Sequence, residues 1–145
     1  MTDQTLNRGY MAEAARRAAA RYRSLFSAVR LLEAAAGVAM IVAPRGVARL
    51  LGAPDSFGND GGTAWVRIAG VILLIMLALF SAGRTFPSSA KLINLFGIVG
   101  QVALGVALMA AGGRMVFVGA AFAAAGVLLG LSYLGLFKAE VMSRP

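Results

Sequence analysis

The chain has 145 residues, of which 59% are hydrophobic and only 14% charged, and its formal charge is +8. A soluble domain usually carries about 25% charged residues, so a chain this apolar cannot cover its own surface in water. It holds no cysteine and no histidine, which excludes disulfides, thiolate chemistry, histidine-ligated haem and most transition-metal sites; no metal and no cofactor is expected.

Four apolar runs fill most of the chain, at residues 25–43, 64–82, 92–111 and 115–137. A helix rising about 1.5 Å per residue needs about 20 apolar residues to cross a hydrocarbon core about 30 Å thick. The predicted class is therefore all-α, an integral membrane four-helix bundle. Three parts are expected: a basic cytoplasmic N-terminal segment (1–23), the four-span domain (24–137) and a cytoplasmic tail (138–145). The bilayer is the first partner. The basic excess reads as topology signalling rather than as affinity for nucleic acid. No cleavable signal peptide is expected, because Asp3, Glu13 and five arginines precede the first apolar run.

Residues 1–7 are polar and read as loose. Residues 10–23, YMAEAARRAAARYR, favour helix. Arg16, Arg17, Arg21 and Arg23 crowd toward the membrane end, where they fix topology or meet lipid headgroups. This segment either extends the first span or lies flat on the surface. Pro44 stops the first span. RGVARLLG (45–52) then reads as a short interfacial helix, with Val47, Leu50 and Leu51 on one face and Arg45 and Arg49 on another. In the 53–63 loop, Asp55, Asn59 and Asp60 lack calcium-loop spacing and read as a solvated turn. Thr63 is the expected N-cap of the second span and Trp65 its interfacial anchor. Ser88 or Ser89 is expected to cap the third span. Gly112, Gly113 and Arg114 form the last hairpin turn.

Spans one and three align without gaps, AAAGVAMIVA (34–43) on VALGVALMAA (102–111), and this sets Glu33 opposite Gln101. Spans two and four share AGVILL (69–74) and AGVLLG (125–130). The pattern suggests two duplicated hairpins related by an axis along the membrane normal, a parallel repeat.

Charge inside a membrane costs about 2.5–3.5 kcal/mol at a helix centre on insertion scales, so Arg30, Glu33 and Gln101 require a reason. Counted at about 1.5 Å per residue from the flanking polar residues, Arg30, Glu33, Asn94, Gln101, Ser132 and Tyr133 share the same half of the bilayer. They are expected to form one polar cluster facing the bundle interior. Arg30 and Glu33, three apart, can pair within their own helix. The cluster then acts in one of three ways. It is structural, with Asn94 and Gln101 bridging helices; or Glu33 handles a proton or cation; or Arg30 holds a ligand headgroup. Gly119, Ala123, Gly126 and Gly130 mark a helix-packing face, and Gly97 and Gly100 open the third span to close approach.

The order span, Pro44, Leu50–Gly52 helix end, polar loop and Trp65-x-Arg67-x-x-Gly70 entering span two resembles small bacterial four-helix membrane proteins. The overall shape is similar to DoxX-like proteins. Some of those are linked to quinone-dependent sulfur oxidation, but no residue here carries that activity over.

A non-catalytic accessory, assembly or scaffold subunit of a larger bacterial inner-membrane complex is expected, with a membrane-protein partner or a second copy of the chain. One alternative is a small oligomeric permease or channel using Glu33 and Gln101 in a proton or cation path. Another is a quinone-linked membrane enzyme subunit. Nine basic residues fall on the side of the termini: Arg8, Arg16, Arg17, Arg21, Arg23, Arg84, Lys91, Lys138 and Arg144. The other side has Arg45, Arg49, Arg67 and Arg114. The positive-inside rule then places both termini in the cytoplasm. Alkaline phosphatase fused after Ala53 should be active and the same enzyme fused after Met142 inactive. The reverse pattern overturns this orientation.

Overall fold

Helix length is the first structural fact. The computed structural model describes residues 2–53, 60–85 and 89–143, with side chains for all but 2–8, 60, 82–84 and 143. The loop oxygens of Asp55 and Asn59, the Asp60 side chain, a Ser88 cap and the side chains of Arg8, Arg84 and Arg144 lie outside the described residues. Five helices follow in order: α1 (Thr2–Val42), α2 (Pro44–Leu50), α3 (Asp60–Thr85), α4 (Lys91–Ala110) and α5 (Met115–Ser143). All but α2 contain a stretch long and apolar enough to span a bilayer: Gly9–Val42, Gly61–Ser81, Lys91–Ala110 and Met115–Met142. The protein is a multi-pass, all-α membrane bundle. Its outward faces are apolar, with Leu31, Leu32, Ile72, Ile75, Leu95, Phe96, Leu128 and Leu131 exposed where lipid tails would lie.

The segment 10–23 is no separate surface helix. It continues unbroken into the first span, so α1 runs 41 residues, about 61 Å. The break comes at Ala43 (φ −127°, ψ 55°), which precedes Pro44, and Pro44 starts α2. Proline's ring disfavours the helical conformation in the residue before it, and proline is tolerated at a helix start. In α2, Pro44 and Ala48 are buried and Val47 and Leu51 half-buried, whereas Leu50 points outward. The apolar face is therefore turned by one position from the Val47, Leu50 and Leu51 grouping.

Gly52 (φ +79°) ends α2. Its N–H donates to Arg49 and the Ala53 N–H donates to Ala48, the paired bonds of a Schellman cap. Arg114 Nη1 donates to the Leu50 carbonyl at 3.4 Å. A cation thus meets the exposed carbonyl end of α2, where the helix dipole favours it. This contact fastens the first connection to the α4–α5 turn, which reverses through Gly112 (φ +75°) and Gly113 (φ +58°).

Two of the expected caps are absent. Thr63 lies buried inside the first turn of α3, because that helix starts at Asp60. The N-cap of α4 is Ala90, with no side-chain bond, rather than Ser89.

The bundle is a ring. α1 packs against α3 and α5, α4 packs against α5, and α3 meets α4 only briefly. Among the described residues the backbones of α1 and α4 make no close approach, so these two parallel helices face each other across a diagonal. The apolar core lies toward the end that holds the termini: Tyr22, Phe26, Leu129 and Leu136, with Ala18, Leu25, Val29, Phe80 and Ile98 against them. Packing thus reaches back past residue 24 into the basic segment.

Glycines set the interhelical distances. A Cβ on Gly70 would lie 2.7 Å from the Gly37 carbonyl oxygen and 2.9 Å from Met40 Cβ. A Cβ on Gly105 would lie 2.5 Å from Ala123 N and 2.7 Å from the Gly119 oxygen. A Cβ on Gly126 would collide with Val102, and one on Gly130 would press on Ile98. The Gly119, Ala123, Gly126 and Gly130 face is therefore packed on α4 inside the bundle. Gly97 also faces inward, but Gly100 has nothing within 4 Å of its Cβ position and is no contact.

The two hairpins close in different registers. The repeat alignment equates the Gly37–Gly70 contact with Gly105–Gly126, yet Gly105 meets Gly119 and Ala123, about one to two turns away.

Gly105→Ala should lose about 1–3 kcal/mol, since its methyl group would meet backbone that cannot yield. Gly100→Ala should be neutral or stabilising by up to about 1 kcal/mol. Unfolding in mixed micelles checks the pair; equal losses would show that close approach does not hold α4 on α5.

Candidate functional site

Two helical stripes bring the polar residues together. On α1 the inward positions are Tyr22, Phe26, Arg30, Glu33 and Gly37, spaced by three or four. On α4 they are Asn94, Gly97, Gln101 and Gly105, with the same spacing. Residues at such intervals share a helix face. α1 and α4 run parallel across the diagonal, and their side chains meet where Tyr22 reaches Asn94 and where Arg30 reaches the Gly97 position.

At the outer level, the Tyr22 hydroxyl donates to Asn94 Oδ1 at 2.6 Å. Tyr22 is fully buried and Asn94 is 3% exposed. The Tyr22 ring lies 5.4 Å from that of Tyr133 and 5.8 Å from that of Phe26, both tilted. Asn94 also engages Tyr133. One amide thus joins α1, α4 and α5. Nearby, Lys91 Nζ stands 5.3 Å from the centre of the Phe137 ring, which holds the start of α4 to the end of α5.

One to two turns further in, Arg30 Nη1 donates to Glu33 Oε2 at 2.5 Å. The guanidinium lies between two rings, 5.0 Å from the centre of Phe26 and 5.6 Å from that of Phe80. A desolvated cation over an aromatic face gains about 2 kcal/mol. Gly97 adjoins this arrangement at ordinary contact distance. A Cβ there would sit 3.4 Å from Phe80 and 3.5 Å from Arg30 Nη2.

Gln101 follows one turn after Gly97 and is 6% exposed. Its Oε1 and the Nε of Arg30 are buried without a hydrogen-bond partner. Asn94 therefore bridges helices as expected, whereas Gln101 makes no interhelical hydrogen bond among the described residues. Ser132 is half-buried on α5 and also makes no side-chain hydrogen bond among them. The structure thus joins Arg30 to Glu33 and Asn94 to Tyr133, and joins neither Gln101 nor Ser132 to them by a hydrogen bond among the described residues.

Arg16, Arg17, Arg21 and Arg23 are all exposed. Arg17 pairs with Glu13 at 2.6 Å on the same face of α1. An exposed pair of this kind contributes little, about 0–1 kcal/mol. The sequence reading missed Tyr22, Phe26 and Phe80. Tyr22 and Phe26 fall on the same 3–4 spacing as Arg30 and Glu33, which is the signal that could have found them.

Among the described residues no three Asp or Glu side chains come together as a metal site would need. Chemically, the site offers a neutralised ion pair, an aromatic clamp and two unmatched polar atoms. Comparison of the chain with protein-family models, with curated proteins and with solved structures finds no match.

Removing one partner of a buried pair strands a charge, at a cost of about 3–5 kcal/mol. Glu33→Leu and Arg30→Met should each destabilise by roughly that amount. The double variant Arg30→Met/Glu33→Leu should recover most of it, since apolar replacement of a whole pair is often neutral. A double-mutant cycle in bicelles measures the coupling, and additive losses would exclude it.

Proposed function

We propose that the protein is a non-catalytic accessory, assembly or scaffold subunit of a larger complex in the bacterial inner membrane, with both termini cytoplasmic. The observation that carries this reading is how the interior polarity is used. Arg30 is engaged by Glu33 and clamped by Phe26 and Phe80, and Tyr22 is engaged by Asn94. These groups stabilise the bundle's own register. What faces outward is apolar helix surface and the arginine-rich part of α1. Such surfaces suit lipid and other membrane helices. The excess of basic residues at the end holding the termini supports the orientation. The span, proline, short helix and Trp65 order supports kinship with DoxX-like proteins, with no residue role attached.

A second reading has one observation in its favour. Arg30 Nε and Gln101 Oε1 are buried without partners, as they would be beside a proton or cation path through Glu33. This reading needs several copies of the chain.

Gentle detergent extraction at native expression should recover a second membrane protein in stoichiometric amount. If the chain is recovered alone, and purified protein in liposomes carries a proton flux above that of empty vesicles, the permease replaces the scaffold.

A further inference from the structure

The two unmatched atoms are of opposite kind. Arg30 Nε carries a proton to donate, and Gln101 Oε1 accepts one. Leaving such groups bare in a low-dielectric interior costs about 1–3 kcal/mol each. Arg30 Nη2 reaches the Gly97 position on α4, and Gln101 follows one turn beyond Gly97 on the same inward face. The rings of Phe26 and Phe80 flank the guanidinium and supply no hydrogen-bonding atom. Glu33 already accepts from Arg30 through Oε2.

The ligand class follows from this donor and acceptor set. A carbonyl oxygen can accept from Arg30 but has no proton for Gln101. An ammonium group can donate to Gln101 but cannot accept from Arg30, and a metal cation would meet the guanidinium charge. A hydroxyl group does both at one oxygen. We infer that the space between Arg30 and Gln101 binds a single O–H group, which accepts from Arg30 Nε and donates to Gln101 Oε1. Two sources share this chemistry. One is a water molecule, which is held in protein interiors where two to four polar partners converge. The other is the hydroxyl of a lipid headgroup, entering through the side where α3 and α4 meet only briefly. The site holds whether or not a partner protein exists, so it stands or falls apart from the scaffold reading.

The test is solid-state NMR on the full chain with labelled arginine, in bilayers of phosphatidylcholine, which has no free hydroxyl, and in phosphatidylglycerol. The Arg30 Nε signal is identified by its loss in Arg30→Lys. Water as the source gives rapid transfer from water protons to Arg30 Nε–H in both bilayers. A lipid hydroxyl gives a headgroup contact in phosphatidylglycerol alone. Either result supports the site. Contact with neither, in both bilayers, overturns it. Gln101→Leu should abolish the O–H contact while the Arg30–Glu33 contact persists, and Gln101→Glu should keep both. An O–H contact that survives in a folded Gln101→Leu protein also overturns the bridge. If Gln101→Leu does not fold, the wild-type spectra still decide.

Discussion

Lipid tails are as apolar as leucine, so no hydrophobic force presses these helices together once they are inserted. Association must come from close packing and from polar contacts between helices. The bundle relies on both, at different depths. Toward the end away from the termini, backbone meets backbone: Gly37 on Gly70 and Gly105 on Gly119 and Ala123. Such proximity multiplies small dispersion gains, each about 0.1–0.2 kcal/mol per atom pair. It also fixes register, because a turn's displacement would place a larger side chain where only a glycine fits. The first hairpin has a long connection and the second a tight glycine turn. That freedom is consistent with one similar set of small residues closing in two registers.

Toward the end with the termini the interior holds aromatic and polar side chains. Here Asn94 ties three helices and Arg30 lies clamped between rings. Polarity is tolerated because it is paired. Arg30 neutralises Glu33 on its own helix, so the ion pair forms without waiting for assembly. The Tyr22–Asn94 bond, by contrast, exists only when α1 and α4 are in place. The first contact eases insertion; the second reports correct folding.

Much of the architecture was readable from particular residues. Span length follows from unbroken apolar runs, the α1 break from Pro44, and the last turn from Gly112 and Gly113. The Arg30–Glu33 pair follows from a three-residue interval. Other features were hidden for physical reasons. Tyr22 sits among exposed arginines, and local composition masks a position that tertiary packing buries completely. Gly70 is a single glycine in an apolar run with no buried polar residue one turn away to mark inward from outward, whereas Gly37 and Gly105 stand one turn past Glu33 and Gln101, an interval that could have found them. Ser89 is a strong cap former, yet α4 begins after Ala90 with no side-chain cap. Gln101 was legible as buried but not as unbonded, since bonding depends on what stands across the diagonal.

The pairing of Arg30 with Glu33 has an electrical consequence. A transmembrane voltage does work on net charge, about 2.3 kcal/mol per elementary charge per 100 mV. Two opposite charges held at 2.5 Å on one rigid helix move through that field together, and their work cancels. The pair therefore adds no net charge for the membrane potential to act on. Either residue alone would turn α1 into a voltage-responsive element.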